Sequence, residues 1–141
     1  SRFFPGMREI LARIDDKLAE AIFGKNLYGE AQYFEDQYIC SGGQLYEIMV
    51  GHDRFCADLR PLTEPLLNKM GYELGLCCHP YDICTALIAQ EAGVIVEGAF
   101  GQPLDIPLNL NTPVTFLAYA NENIRNEVYQ PLHKLIQEEI N

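Results

Sequence analysis

The stretch HPYDICTALIAQEAG, residues 79–93, decides how the rest of the sequence is interpreted. It predicts one helix, because Pro80 suits the first helical position and apolar residues recur every three or four positions after it. Gly93 is typical of a helix end. Asp82 then lies on the first turn, where a carboxylate meets unpaired backbone amides and the positive end of the helix dipole. Taken alone, Asp82 is therefore predicted to cap a helix.

Helices and short apolar strands alternate on both sides of this stretch. The spacing of apolar residues predicts further helices over residues 5–23, 41–51, 61–70 and 121–140, and strands over residues 32–40, 54–60, 94–96 and 114–120. Such alternation is typical of the α/β class, with a layered sheet covered by helices. A chain of 141 residues favours one domain over residues 1–141.

Local signals predict how two of these helices begin and continue. Ser41-x-x-Gln44 has the pattern of a capping box, in which the serine caps a free amide and the glutamine reaches back. Asn121 or Asn123 is the predicted cap of the last helix. Pro131 is expected to kink or divide that helix, because proline lacks a backbone N–H.

Charge restricts the partners. The formal net charge of −10 repels phosphate backbones, so we expect no nucleic acid partner. Phosphorylated metabolites are repelled too, unless a bound cation reverses the local sign. No apolar run approaches the ~20 residues that cross a bilayer, so we expect no membrane partner.

The five cysteines are Cys40, Cys56, Cys77, Cys78 and Cys84. An odd count without a signal peptide favours reduced, buried thiols in a cytoplasmic protein. Cys77-Cys78-His79, with Cys84 nearby, leaves open a thiol or zinc site, although the usual spacer between zinc-ligating cysteines is missing.

The stretch around Asp82 resembles the second signature of the inositol monophosphatase family of magnesium-dependent phosphatases. That signature has Trp-Asp, a pair of small residues and Glu-Ala-Gly-Gly. Here the corresponding residues are Tyr81-Asp82, a run of small or apolar residues, and Glu91-Ala92-Gly93.

Further motifs follow in the family's order along essentially the whole chain. SGGQL (residues 41–45) resembles the family's helix start, DRFCA (53–57) its next strand, GQPLD (101–105) its Gly-x-Pro-Phe-Asp loop, and residues 114–121 its closing strand. The resemblance implies the fold of the family's C-terminal subdomain. It also implies hydrolysis of inositol or sugar phosphates by bound Mg²⁺.

The resemblance implies roles for four residues. Asp82 would ligate one Mg²⁺, since magnesium prefers oxygen ligands. The amides around Gly42, Gly43 and Gln44 would hold oxygens of the phosphorylated substrate, as helix N-termini hold anions. The alternative for Gly42-Gly43 is a tight entry into the helix.

The family's other metal ligands lie upstream, in a Gly-Glu-Glu element and in Asp-Pro-x-Asp-Gly-Thr, and neither occurs in these 141 residues. We therefore expect the N-terminal metal-binding half to be absent and the chain alone to be inactive. Tyr81 replaces the family's tryptophan and Val94 its last glycine. In the family, an acidic residue that binds substrate often follows the strand that DRFCA resembles. The corresponding position here is near Arg60, and Glu64 and Glu73 are the candidates to replace that acid.

In addition to the hypothesis of a thiol or zinc site, two functional interpretations stay open. In the first, the chain is the C-terminal part of a phosphomonoesterase. In the second, it is a non-catalytic interaction or regulatory module that kept the fold. A missing half would leave an apolar face exposed, which predicts pairing with that half or self-association.

Overall fold

In a computed structural model, residues 7–25 and 40–140 are described. The helices are α1 (Arg8–Phe23), α2 (Ser41–Met49), α3 (Glu64–Lys69), α4 (Ala86–Glu91) and α5 (Glu122–Glu139), and a 3-10 helix covers Arg60–Thr63. The strands are β1 (Phe55–Asp58), β2 (Ile95–Glu97) and β3 (Phe116–Tyr119). The prediction of a strand over residues 32–40 lies outside the described residues, except at Cys40.

The three strands form one antiparallel sheet in the order β1-β3-β2. Tyr119 of β3 lies opposite Phe55 on one side and Ile95 on the other. Every residue of β3 is buried. Because side chains alternate along a strand, Leu117 and Tyr119 enter one core and Phe116 and Ala118 the other. The protein is therefore mixed α/β, with its sheet buried on both faces as predicted.

Helices α1 and α5 cover one face of the sheet. Their apolar stripes meet in a core with Leu117 and Tyr119. At the rim, Arg13 donates to Glu139 over 3.0 Å, and Lys17 donates to the same carboxylate. These hydrogen bonds, first that of Lys17 and then that of Arg13, lower the pKa of Glu139. The two helices are thus joined by apolar packing and by a charged clamp.

Helices α2 and α4 cover the opposite face. Leu45 and Ile48 of α2 pack with Ile83 and Ala89 against Phe116. This packing places the start of α2 beside the turns that precede α4. The predicted site segments thereby become neighbours.

Two local predictions fail at these helices. Ser41 is the first residue of α2 rather than its cap; Cys40 precedes the helix and no side chain caps it. The reason is burial: Ser41 is only 7 % exposed and lies inside the first turn of the helix. The helix predicted over residues 79–93 is shorter, because bonds such as that from the Asp82 amide to His79 O (2.9 Å) form tight turns up to α4.

Other boundaries agree more closely. Asn121 caps α5, its Oδ1 accepting from the Ile124 amide over 3.1 Å. The helix runs unbroken through Pro131, so the prediction that it is divided there is wrong. Packing against the core holds both halves of α5, with Val128 before Pro131 and Leu132 after it. Within the described ranges, no helix has the length and apolar character of a membrane span.

Candidate functional site

Asp82 lies just ahead of α4 and is about one-fifth exposed. Its Oδ2 accepts a hydrogen bond from the His79 backbone N–H over 3.0 Å. The prediction that Asp82 caps the helix on its first turn is wrong, because α4 begins only at Ala86 and no described side chain caps it. Asp82 instead holds the His79 amide within the turns that precede α4. Among the described residues, nothing hydrogen-bonds its other oxygen, so Asp82 keeps one oxygen for a further partner.

The His79 ring has a fixed orientation and an assignable proton. Nδ1 lies 3.0 Å from the backbone oxygen of Cys77. A carbonyl oxygen only accepts, so Nδ1 carries the proton and, in the neutral ring, Nε2 carries the lone pair. Stacking on Tyr81, with ring centroids 5.5 Å apart, holds the plane. His79 therefore offers Nε2 as an acceptor, while its Nδ1 lies 3.8 Å from Asp82 Oδ2.

A second carboxylate, which the sequence interpretation did not single out, holds the same loop. Asp58 ends β1 and is only 4 % exposed. It accepts from Arg60 Nε over 2.8 Å and Nη2 over 2.5 Å, and from the Cys78 amide over 2.8 Å. Arg60 also donates to Leu76 O over 2.8 Å. Asp58 thus accepts from the Cys78 amide, and Asp82 accepts from the next amide in the chain, that of His79.

The family's acidic position was predicted near Arg60. Asp58 lies two residues before Arg60 in the sequence, and the Arg60 guanidinium pairs with its carboxylate. Burial alone would lower the pKa of Arg60, and the hydrogen bonds and charge of Asp58 outweigh it and raise the pKa. Asp58 is therefore part of a closed ion pair. The signal in the sequence was an acid ending an alternating strand, with an arginine two residues later.

The start of α2 packs directly against the turn that carries Asp82. A Cβ on Gly42 would lie 3.2 Å from Thr85 Oγ1 and 3.3 Å from the Asp82 backbone oxygen. Glycine is therefore favoured here by a close approach. Of the predicted substrate-binding residues, Gly43 already donates to Cys40 O over 3.1 Å. Among the described residues, the Gly42 amide has no acceptor, while Gln44 is half-buried in the next turn.

The fit of these residues to Mg²⁺ is partial. Asp82 contributes one uncommitted carboxylate oxygen, which is the right ligand type. Asp58 is occupied by Arg60 and Cys78. Across residues 7–25 and 40–140, no three His, Cys, Asp or Glu side chains converge closely enough to hold a metal ion. A cation at Asp82 would need its other ligands from water, substrate or residues beyond this set.

The cysteines do not form the alternative zinc or thiol site in the part of the chain that is described. All five are free, Cys77 and Cys78 are buried, and Cys84 is exposed. The expectation of buried thiols holds for Cys77 and Cys78, while Cys56 is half-buried and Cys40 is exposed like Cys84. Burial raises the pKa of Cys78 to about 12 and of Cys77 to about 11, so both are neutral thiols near pH 7. A neutral thiol is a poor nucleophile.

These buried thiols predict alkaline sensitivity. An unfolded cysteine loses its proton near pH 9, whereas Cys78 in the fold keeps it to about pH 12. Between these values the folded state binds more protons, so the free energy of unfolding falls as pH rises, by about 1.4 kcal/mol per unit for one such thiol. Urea unfolding at pH 8 to 11 measures the slope. Cys78→Ala should reduce the slope by the share of one thiol, because burial also raises the pKa of Cys56 to about 12 and of Cys77 to about 11. Cys84→Ser, the exposed control, should leave the slope unchanged. Equal slopes for wild type and Cys78→Ala would contradict the assignment.

A cavity of about 390 Å³ adjoins His79. The two glutamates named as candidate replacements for the family's acid, Glu64 and Glu73, both line it, together with Cys77 and Asn111. The structure therefore brings the two glutamates to one place, beside the loop that Asp58 and Asp82 hold.

Comparisons of the chain with protein-family models, with curated proteins and with solved structures find no match. The resemblance read in the sequence stays a prediction.

Proposed function

We propose that this chain is the C-terminal part of a magnesium-dependent phosphomonoesterase resembling inositol monophosphatase. Joined to its N-terminal half, it would hydrolyse inositol or sugar phosphates. The observation that carries the proposal is the packing of Gly42 against the turn of Asp82 and Thr85. It sets the start of α2 against the backbone of the turn that carries Asp82, whose carboxylate keeps one oxygen without a hydrogen-bond partner among the described residues.

The start of α2 is suited to phosphate oxygens. Helix N-termini bind anions through unpaired amides and the positive end of the dipole. Within residues 7–25 and 40–140 nothing accepts from the amide of Gly42, which suits it to this role. Because Gly42 has no side chain, the helix start and the Asp82 turn approach closely. A phosphate at Gly42 would therefore lie near Asp82.

Asp82 is suited to hold a cation next to that phosphate. The hydrogen bond from the His79 amide fixes one carboxylate oxygen, so the orientation of the other is set in advance. When bound, Mg²⁺ would polarise the phosphoryl group and activate water. It would also offset the repulsion between phosphate and a chain of net charge −10.

The isolated chain is expected to show no magnesium-dependent turnover, because Asp82 alone cannot complete the coordination of Mg²⁺. The measurement is phosphate release from inositol and hexose monophosphates, with Mg²⁺ and with a chelator. The control is the protein encoded by the whole reading frame, which should release phosphate with Mg²⁺ only. Turnover by the 141-residue chain would contradict this account of the site.

One observation favours the alternative, a non-catalytic interaction or regulatory module. Asp58, the carboxylate closest to the family's substrate-binding position, is closed off by Arg60. Apolar side chains near Asp82 are also exposed, namely Tyr81, Leu87 and Ile88. The sequence upstream of Ser1 separates the two functions. Both acidic motifs there would support the enzyme, and a natural start near Ser1 would support the module.

A further inference from the structure

An ion pair from the end of β1 holds the loop that leads to Asp82. The Arg60 guanidinium binds two groups at once: Nη1 donates to Leu76 O over 2.8 Å, while Nε and Nη2 donate to the two oxygens of Asp58. Asp58 is 4 % exposed and also accepts from the Cys78 amide over 2.8 Å. Both ends of the segment from Leu76 to Cys78 are therefore fixed by one ion pair.

The next peptide group connects this segment to Asp82. Only the two backbone dihedral angles of Cys78 separate the amide that Asp58 holds from the His79 amide, which donates to Asp82 Oδ2 over 3.0 Å. Cys78 is 1 % exposed and packs in the core that α2 and α4 cover, so these angles have little freedom. The Asp82 amide in turn donates to His79 O over 2.9 Å. A continuous chain of hydrogen bonds therefore runs from Arg60 to the carboxylate of Asp82.

The pairing of Asp58 with Arg60 fixes direction better than it adds stability. Desolvation offsets much of the attraction in a buried ion pair, and apolar side chains are often equally stabilising in its place. The planar guanidinium, however, binds both carboxylate oxygens, which sets where the Cys78 amide must lie. Hydrogen-bonding groups that orient a metal ligand change metal affinity roughly 10- to 100-fold when they are removed.

We propose that Asp58 and Arg60 are positioning residues for Asp82. They fix the Cys78 amide and through it the His79 amide, so the second carboxylate oxygen of Asp82 keeps one orientation towards a cation. Both oxygens of Asp58 are used by Arg60 and Cys78, so its role is to orient a ligand and not to be one. The inference rests on the proposed function for the cation, and on the hydrogen bonds alone for the coupling.

The first test needs neither metal nor substrate. The side chain in Asp58→Asn has one oxygen and one NH₂ group, so it cannot accept from both Arg60 and the Cys78 amide. In the 141-residue chain, hydrogen exchange should become about tenfold faster at the Cys78 amide and also at the His79 amide, which donates to Asp82 rather than to Asp58. Both rates are taken relative to the slowest amides, which report global unfolding.

The matched control is Glu97→Gln, which disrupts the other buried ion pair, between β2 and α5. Glu97 is 6 % exposed, so its burial is close to that of Asp58. The substitution should lower the melting temperature and leave the relative exchange rate of His79 unchanged. A difference between the two variants at His79 therefore reports coupling and not lost stability.

The second test uses the full-length protein. Asp58→Asn should raise the Mg²⁺ concentration for half-maximal phosphate release about tenfold, and turnover at saturating Mg²⁺ should stay within about threefold of wild type. Arg60→Lys keeps the charge but not the planar fork, so it should shift the Mg²⁺ requirement in the same direction. Glu97→Gln should leave the Mg²⁺ requirement unchanged.

Wild-type exchange at His79 in both Asp58→Asn and Arg60→Lys would overturn the inference. An unchanged Mg²⁺ requirement in both variants, or an equal shift in Glu97→Gln, would overturn it too. If Asp58→Asn does not fold, Arg60→Lys decides in the same two assays. Coupled exchange at His79 together with a full-length protein that releases no phosphate would refute the proposed function alone. Phosphate release without coupled exchange at His79 would refute this inference alone.

Discussion

Asp82→Asn in the full-length protein is expected to reduce magnesium-dependent turnover at least ~100-fold, with little change in melting temperature. Asparagine keeps an oxygen that can accept from the His79 amide, so the turn before α4 is preserved. It loses the negative charge that would bind the cation. The expected result is therefore a separation of activity from stability, measured by steady-state phosphate release and thermal unfolding.

The control for Asp82→Asn is Glu127→Gln, which removes one negative charge from an exposed position on α5. Its turnover should equal that of wild type, which excludes an effect of net charge. Unchanged turnover in Asp82→Asn would show that Asp82 only holds the His79 amide. A large drop in melting temperature would show that its charge is needed by the fold.

Asp58→Ala is expected to destabilise the chain by about 3 kcal/mol. The substitution leaves the Arg60 guanidinium, which is 38 % exposed, without its counter-ion, and leaves the buried Cys78 amide without an acceptor. Both groups then lose their hydrogen bonds without regaining full hydration. Urea unfolding measures the loss as a lower midpoint at unchanged slope.

The double variant Asp58→Leu with Arg60→Met separates the two causes. Replacing both charges by apolar side chains removes the unpaired guanidinium, so stability should recover in part. The part of the unfolding free energy that is not recovered measures the cost of leaving the Cys78 amide without an acceptor. A loss below about 1 kcal/mol in Asp58→Ala would instead class the pair with weak surface salt bridges.

The elements of the fold were largely predictable from the sequence, and their arrangement was not. Residues 114–120 predicted β3 because the apolar pattern of a strand reflects its own burial. That β3 lies between β1 and β2 depends on pairings such as Tyr119 with both Phe55 and Ile95, which no local pattern encodes. The direction of pairing is equally non-local, so the antiparallel sheet emerges only in the structure.

For the candidate site too, individual residues were predictable from the sequence and most of their contacts were not. A sequence pattern indicated Asp82 and Gly42, and the structure brings them together. No sequence pattern indicated the hydrogen bond from the Cys78 amide to Asp58, because these residues are twenty positions apart in the chain. The capping box at Ser41 failed for a related reason, because burial overrode a local preference.

A second buried ion pair could not be predicted from the sequence either. Glu97 of β2 is 6 % exposed, and Arg125 Nε on α5 donates to both its oxygens over 3.0 and 3.1 Å. The guanidinium lies 4.9 Å from the ring centre of Tyr129. An acid inside an apolar strand predicts only that a partner exists, and the partner here comes from a helix far along the chain.

The most direct test of the central claim is to locate the cation rather than to follow the reaction. Mn²⁺ prefers the same oxygen ligands as Mg²⁺ and broadens the NMR signals of nearby nuclei. In the full-length protein, Mn²⁺ should broaden the amide signals of Gly42, His79 and Thr85, and Asp82→Asn should remove that broadening at the same Mn²⁺ concentration. Equal broadening in wild type and Asp82→Asn, or none in either, would contradict the claim that Asp82 holds the metal.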